Sequence, residues 1–218
     1  MRPKLFWAVA SSVFCALFFA TGCGSSAAHI RVLNATPIQS SIDMLIDGKN
    51  VASSIPYGAA SGYSTVSSGS RHLQVEPTGS TPFVDQTITV SSGSSNTILA
   101  MASGATVHTD DNSAPASGDA KIRVINASSN LGPTDVYITT AGTGLSASPT
   151  SSSLAVSSAS TYDAVAAGTY QVYFTSPGTT NIVLNTTALS FSSGQVRTVV
   201  VLDGQTGGIT TSVLADVN

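Results

Sequence analysis

The sequence predicts an all-β protein: two tandem antiparallel β-sandwich domains behind an N-terminal signal-peptide helix. Three observations carry this. A phrase is written twice, His29-Ile30-Arg31-Val32-Leu33-Asn34-Ala35-Thr36 returning as Lys121-Ile122-Arg123-Val124-Ile125-Asn126-Ala127-Ser128, and self-similarity at such spacing marks a duplicated unit. Short apolar or alternating runs separated by Ser-Gly, Asp-Gly and Pro-containing breaks follow residue 28, the pattern of strands joined by turns. Beyond residue 28 no apolar stripe of helical period occurs.

Residues 1–22 read as a lipoprotein signal peptide. Arg2 and Lys4 precede an apolar run, Leu5 to Ala20, broken only by Ser11 and Ser12. That run falls short of the roughly 20 residues of a comfortable membrane span and has the charge-then-apolar order of an export signal. Ala20-Thr21-Gly22-Cys23 resembles the bacterial lipobox, which implies lipidation of Cys23. Residues 23–28 are then a short tether, and the protein is extracytoplasmic and held to the membrane through lipid. Gly24 directs it to the outer membrane if the cell has one. Ordinary secretion with cleavage after Ala28 and an uncleaved membrane anchor are the alternatives.

Both cysteines, Cys15 and Cys23, lie in this leader, so the folded part has neither disulfide nor thiol nucleophile. Charged residues make up 9% of the chain, against about 25% in typical domains. Without Arg2 and Lys4 there remain six basic and 11 acidic side chains, a net charge of −5. No basic patch is available for nucleic acid.

The first sandwich is expected over 29–108, with strands at Ile30–Leu33, Ile42–Ile46, Leu73–Val75, Thr87–Val90 and Thr97–Met101. Residues 109–120 are small, polar and extended, a linker that should allow the halves some independent motion. The second sandwich, 121–218, follows the same order. Ile122–Ile125, Asp135–Ile138, Gly168–Val172 and Thr198–Leu202 match strands of the first, and Val213 to Asn218 matches Val107 to Asn112. Its extra length falls around Ala141–Ser160 and at the hairpin Asp203–Gly208, where added loop costs little.

Arg31-Val32-Leu33-Asn34-Ala35-Thr36-Pro37, then Ile42-Asp43-Met44-Leu45-Ile46-Asp47-Gly48, and later Ala167-Gly168-Thr169-Tyr170, resemble domain-of-unknown-function family 4397, in two copies. The resemblance implies immunoglobulin-like sandwiches in bacterial surface proteins or lipoproteins, and no catalytic residues or cofactor. Asn34 and Asn126 replace the His usual at that position.

Arg31 with Asp43, and Arg123 with Asp135, fall on the outward phase of their strands. An exposed cross-strand ion pair in each copy is the expectation, worth about 0–1 kcal/mol. Asn34 and Asn126 are expected to cap turns through their own backbone. His108, Asp110, Asp111 and Asp119 are the one set with metal-ligand chemistry, though acidic linkers are normally just solvated and the spacing fits no calcium loop. His29 and His72 read as surface strand residues. Glu76 and Asp85 are a carboxylate pair only if folding brings them together. With three histidines, no Gly-x-Ser-x-Gly elbow and no phosphate loop, the sequence argues against an enzyme. The single Trp, Trp7, lies in the leader. Candidate ligand-contact rings are therefore tyrosines, with Tyr137 and Tyr173 on the outward phase and Tyr57, Tyr63 and Tyr162 behind them. The function expected is a structural or adhesive envelope module whose partner is a protein, with glycan recognition the alternative.

Overall fold

The computed structural model describes residues 26–217. The predicted signal-peptide helix and Cys23 lie outside the described residues. No helix occurs among the residues described.

The first half contributes β1 (Ala27–Asn34), β2 (Ser41–Ile46), β3 (Lys49–Pro56), β4 (Ser64–Ser67), β5 (Gly69–Pro77), β6 (Val84–Val90), β7 (Ser95–Met101) and β8 (Gly104–Asp110). The second half contributes β9 (Asp119–Ala127), β10 (Thr134–Thr140), β11 (Ser151–Leu154), β12 (Ser158–Ala159), β13 (Asp163–Ala166), β14 (Gly168–Thr175), β15 (Ile182–Asn185), β16 (Leu189–Phe191), β17 (Val196–Asp203) and β18 (Ile209–Val217). Each half stacks two sheets. In the first their orders are β4-β1-β7-β8 and β3-β2-β5-β6. In the second they are β12-β9-β17-β18, with β13 also on β9, and β11-β10-β14-β15, with β16 also on β14. The second half thus reproduces the strand order of the first.

The sheets are not purely antiparallel. β1 pairs parallel with β7, Val32 opposite Ile98, and β9 pairs parallel with β17, Val124 opposite Val199. Parallel neighbours need a long crossover. Here that crossover is most of the domain, because the chain visits the second sheet before returning to the far side of its first strand.

Alternation along the strands builds the cores. In β2, Ile42, Met44 and Ile46 point to the interior of the first sandwich, where Ile30 and Val32 of β1, Leu73, Val75, Ile98 and Ala100 meet them. In the second, Val136, Val172 and Phe174 meet Ile122, Val124, Val199 and Val201. The Asp47-Gly48 hairpin has positive φ at both residues, 50° and 74°, as a two-residue primed turn requires.

A third core lies between the halves. The opposite faces of β1, β7, β9 and β17 carry Leu33, Leu99, Met101, Ile125, Ala127, Val200 and Leu202, packed together with Leu214 of β18. The sheets β4-β1-β7-β8 and β12-β9-β17-β18 are therefore covered on both sides. Their central strands are nearly continuous apolar runs for this reason. The molecule is a four-layer stack, two sandwich interiors flanking a seam.

Three expectations change here. β1 begins at Ala27, which pairs with Ser67, so residues 27–28 are strand and not tether. Strands run to Asp110 and resume at Asp119, leaving 111–118 as the connection. The halves that were expected to move independently bury a common apolar seam.

Phe174 is fully buried in the second interior. Phe174→Ala should cost about 3–5 kcal/mol, read as a lowered denaturant midpoint with little change in slope.

Candidate functional site

The chemistry-bearing side chains that the two halves share converge on one end of the seam. Arg31 lies on the seam face of β1 and Arg123 on that of β9, with side chains 2% and 1% exposed. Each guanidinium is held by its own half and reaches into the other. Arg31 Nε donates to Thr97 Oγ1 at 2.8 Å, Nη2 to Asp216 Oδ1 at 2.5 Å and Nη1 to the Ala215 carbonyl at 3.0 Å. Reciprocally, Arg123 Nε donates to Thr198 Oγ1 at 2.9 Å, Nη1 to the Thr109 carbonyl at 3.2 Å and Nη2 to Asp110 Oδ1.

The carboxylates are completed from their own halves. Asp110 Oδ2 accepts from Thr97 Oγ1 at 2.8 Å and from the Tyr63 hydroxyl at 2.6 Å. Asp216 Oδ2 accepts from Thr198 Oγ1 at 2.6 Å and from the Tyr162 hydroxyl at 2.9 Å. The same tyrosines cover the cations, Arg31 4.8 Å from the Tyr63 ring centre and Arg123 4.7 Å from that of Tyr162. Two arginines meet two carboxylates across the seam, so the buried charge cancels. Each oxygen named has a donor, the condition under which buried ions are tolerable.

Burial works against the Arg31 charge, but Asp216, Tyr63 and Asp110 more than restore it, and its pKa is raised. Burial pushes the Tyr63 and Tyr162 phenols well above their ordinary value, with Asp110 and Asp216 adding to the shift. At the other end of the seam the Tyr57 hydroxyl donates to the Asp203 carbonyl. Burial, then the Asp203 charge, pushes this phenol up to about 12. Gln205 Nε2 donates to the Pro37 carbonyl at 3.2 Å, so the longer β17–β18 hairpin of the second half latches onto the first. The Asp203 carboxylate binds Ser128 Oγ at 2.5 Å and the Asn130 amide at 3.1 Å.

The expected ion pairs of Arg31 with Asp43 and Arg123 with Asp135 do not form. The arginines do leave the sandwich interior, but that face is the seam, where Asp216 and Asp110 wait. Asp43 and Asp135 clamp the neighbouring strand instead. Asp43 Oδ1 accepts from the Ser54 amide at 2.6 Å and Thr78 Oγ1 at 2.8 Å. Asp135 accepts from the Ser153 amide at 2.6 Å and the Gly178 amide at 2.7 Å. Ser54 and Ser153 both have positive φ, 54° and 48°, so each aspartate secures a strained irregularity in the adjacent strand. Asn34 Oδ1 accepts from the Thr36 amide at 3.0 Å, and Asn126 Oδ1 from the Ser128 amide at 3.1 Å. Their Nδ2 groups donate to the Ile55 and Leu154 carbonyls.

The junction residues do not gather. Asp110 belongs to the seam, and Asp111 Oδ2 takes Lys121 Nζ at 2.6 Å. That bond and those from Ser113 lower the Asp111 pKa to about 2. Asp119 starts β9. Among the described residues no group of three or more His, Cys, Asp or Glu is placed to hold a metal ion. His108 stands on β8 at the position equivalent to Leu214, and burial, then the Arg123 charge, lowers its pKa. His72 Nε2 lies 2.6 Å from Asp85 Oδ1, and Gln74 also binds that carboxylate. Asp85 is therefore occupied by neighbours on β5 other than Glu76. His29 is half-buried on β1, its Nδ1 3.4 Å from Thr65 Oγ1.

Tyr137 and Tyr173 are paired across β10 and β14 but do not form the exposed platform their strand phase predicts. They are 5% and 8% exposed. The longer connection between β10 and β11 supplies a wall on that side, and Tyr137 becomes the floor of a cleft. The cleft, about 680 Å³, is lined by Asp135, Tyr137, Ala147, Pro149, Ser152, Ser153, Gly178, Thr179 and Thr180.

Asp216, Thr97 and Thr198 were not among the candidate residues, and Asp110, Tyr63 and Tyr162 were candidates for other roles, a metal ligand and ligand-contact rings. A signal for the clasp was present: Asp110 with Asp216, and Thr97 with Thr198, hold matching places in the two halves.

The profile of the family described as Domain of unknown function (DUF4397) matches residues 28–137, half of the chain, and the chain belongs to that family. No curated protein matches it. Among solved structures it is similar to the Bacillus anthracis TIE protein, at 10% identity and a TM-score of 0.29, covering 81% of this chain and 34% of that one. It is similar also to a leucine-rich repeat protein from Bacteroides thetaiotaomicron, at 14% identity, TM-score 0.23, and 79% and 25% coverage. A streptococcal virulence factor described by its alpha-glucan binding matches at 11% identity, TM-score 0.28, and 86% and 97% coverage. The chain spans only about a third and a quarter of the first two. Scores this low assign no ligand.

Breaking one buried pair leaves its partner charged and dry. Arg123→Ala and Asp110→Ala should each cost about 3–5 kcal/mol, and the double variant clearly less than their sum, in a denaturation double-mutant cycle. Alkaline stability follows from the phenols. Their folded values lie above the unfolded value of about 10, so their contribution is complete below pH 10 and is lost as pH rises through the folded values. Absorbance titration should show Tyr57 ionising near 12, and Tyr63 and Tyr162 only as the protein unfolds.

Proposed function

We propose that this chain is an exported, lipid-anchored protein of the cell envelope, made of two tandem copies of its family's domain. It serves as a structural or adhesive module that offers polar sandwich faces and loops to an envelope protein. The reading takes the sandwiches as immunoglobulin-like in the broad sense of two stacked sheets of short strands.

The observation that carries it is the seam. Arg31, Asp110, Arg123 and Asp216 are buried, with the half-buried Tyr63 and Tyr162 over them, and are spent on joining the halves. The charged groups that the two halves share are thereby committed to one another. What remains outside is largely Ser, Thr, Asn and Gly. The lipobox-like Ala20-Thr21-Gly22-Cys23 supports the anchor and the localisation.

A glycan-binding role is the second reading. The cleft over Tyr137 favours it, because it combines hydroxyls, a carboxylate and an aromatic floor.

In cells fed an alkyne-tagged fatty acid, the wild-type chain should take up label and fractionate with membranes. Cys23→Ala should lose the label and at least nine-tenths of its membrane association. Label retained by the variant refutes the anchor. Crosslinking in intact cells should capture one envelope protein in stoichiometric amount.

A further inference from the structure

We propose that the cleft on the second sandwich is a binding site for a neutral, hydroxyl-rich saccharide segment, a site that the first sandwich lacks. This rests on the glycan reading above and gives it a location.

The site is built from three pieces. β10 supplies Asp135 and Tyr137 on the face turned away from the sandwich interior. The connection to β11, which carries the extra length of the second half, supplies Ala147 and Pro149, and the β14–β15 turn supplies Thr179 and Thr180. In the first half β2 and β3 are joined by the two-residue Asp47-Gly48 turn, so no segment rises to form the corresponding wall.

The lining sets the ligand. Asp135 is 4% exposed and takes one backbone amide on each carboxylate oxygen, from Ser153 and Gly178. A carboxylate oxygen accepts more than one hydrogen bond, so each retains capacity for a ligand hydroxyl. No Lys, Arg or His lines the cleft, and a buried carboxylate without a cation repels phosphates, sulfates and uronates. The hydroxyls of Ser152, Ser153 and Thr180 donate and accept as the ligand demands, while Thr179 Oγ1 donates to the Ser176 carbonyl and accepts from the Asn181 amide, holding the turn. Tyr137, Pro149 and Ala147 present carbon surface. A neutral sugar has both parts, a rim of hydroxyls and a face of C–H groups. The cleft volume lies within the usual span of small-ligand sites and admits a short oligosaccharide stretch.

The test is a calorimetric titration of the mature chain with neutral envelope polysaccharide fragments and, in parallel, with uronate-containing ones. Two variants accompany it. Ala147→Arg and Thr180→Arg fill the cleft from exposed positions and leave both interiors untouched. The wild-type chain should bind a neutral fragment saturably, the uronate fragments at least tenfold more weakly, and either variant should lose at least tenfold in affinity with an unchanged melting temperature. Undiminished binding by both variants overturns the site while leaving the glycan reading standing. Preference for uronates overturns the assigned ligand class. No binding of any fragment by the wild-type chain overturns the site and the glycan reading together.

Discussion

Everything in this molecule is arranged around two arginines that each sit in one half and are neutralised by the other. Arg31 needs Asp216, and Arg123 needs Asp110. A guanidinium at 2% exposure has no water to fall back on, so while the seam is closed each charge depends on its partner from the other half, and removing one partner leaves the other buried and unpaired. The carboxylates are held in place by Thr97 and Tyr63 on one side and Thr198 and Tyr162 on the other. The arrangement has the reciprocity of an isologous dimer interface, where one patch meets its own copy and every contact occurs twice, here within a single chain.

The division of labour in the seam follows from the energetics. Buried ion pairs add little net stability over apolar residues of the same size, but they are intolerant of misalignment. Leu33, Leu99, Ile125, Val200 and Leu202 supply the drive to associate, each side chain contributing about 1.5–3 kcal/mol on burial. The charge clasp selects one register of sheet on sheet.

The strands were readable because their signal is local. Alternation at Ile42-Asp43-Met44, the Asp47-Gly48 turn and the repeated Arg-Val-Leu/Ile-Asn phrase all report on a few neighbouring residues. The site was only half readable. Strand phase correctly removes Arg31 and Arg123 from the sandwich interiors, but phase cannot tell a face that meets water from one that meets a second sheet. Two clues bore on this. The run from Ile30 through Ala35 has apolar residues on both phases, as does Val199–Leu202, the mark of a strand covered on both sides. Asp110 and Asp216 also hold matching places near the ends of their halves. Tyr137 was misplaced for a related reason: the covering wall comes from the β10–β11 connection, whose path no local pattern records.

The account stands or falls on whether the halves are one body in solution. Residual dipolar couplings of the mature chain in a dilute aligning medium measure this directly, because each half reports its own orientation. Couplings from both halves should fit a single alignment tensor of common magnitude and axes. Two tensors of different magnitude would mean that the halves tumble apart, and the clasp would not exist as described.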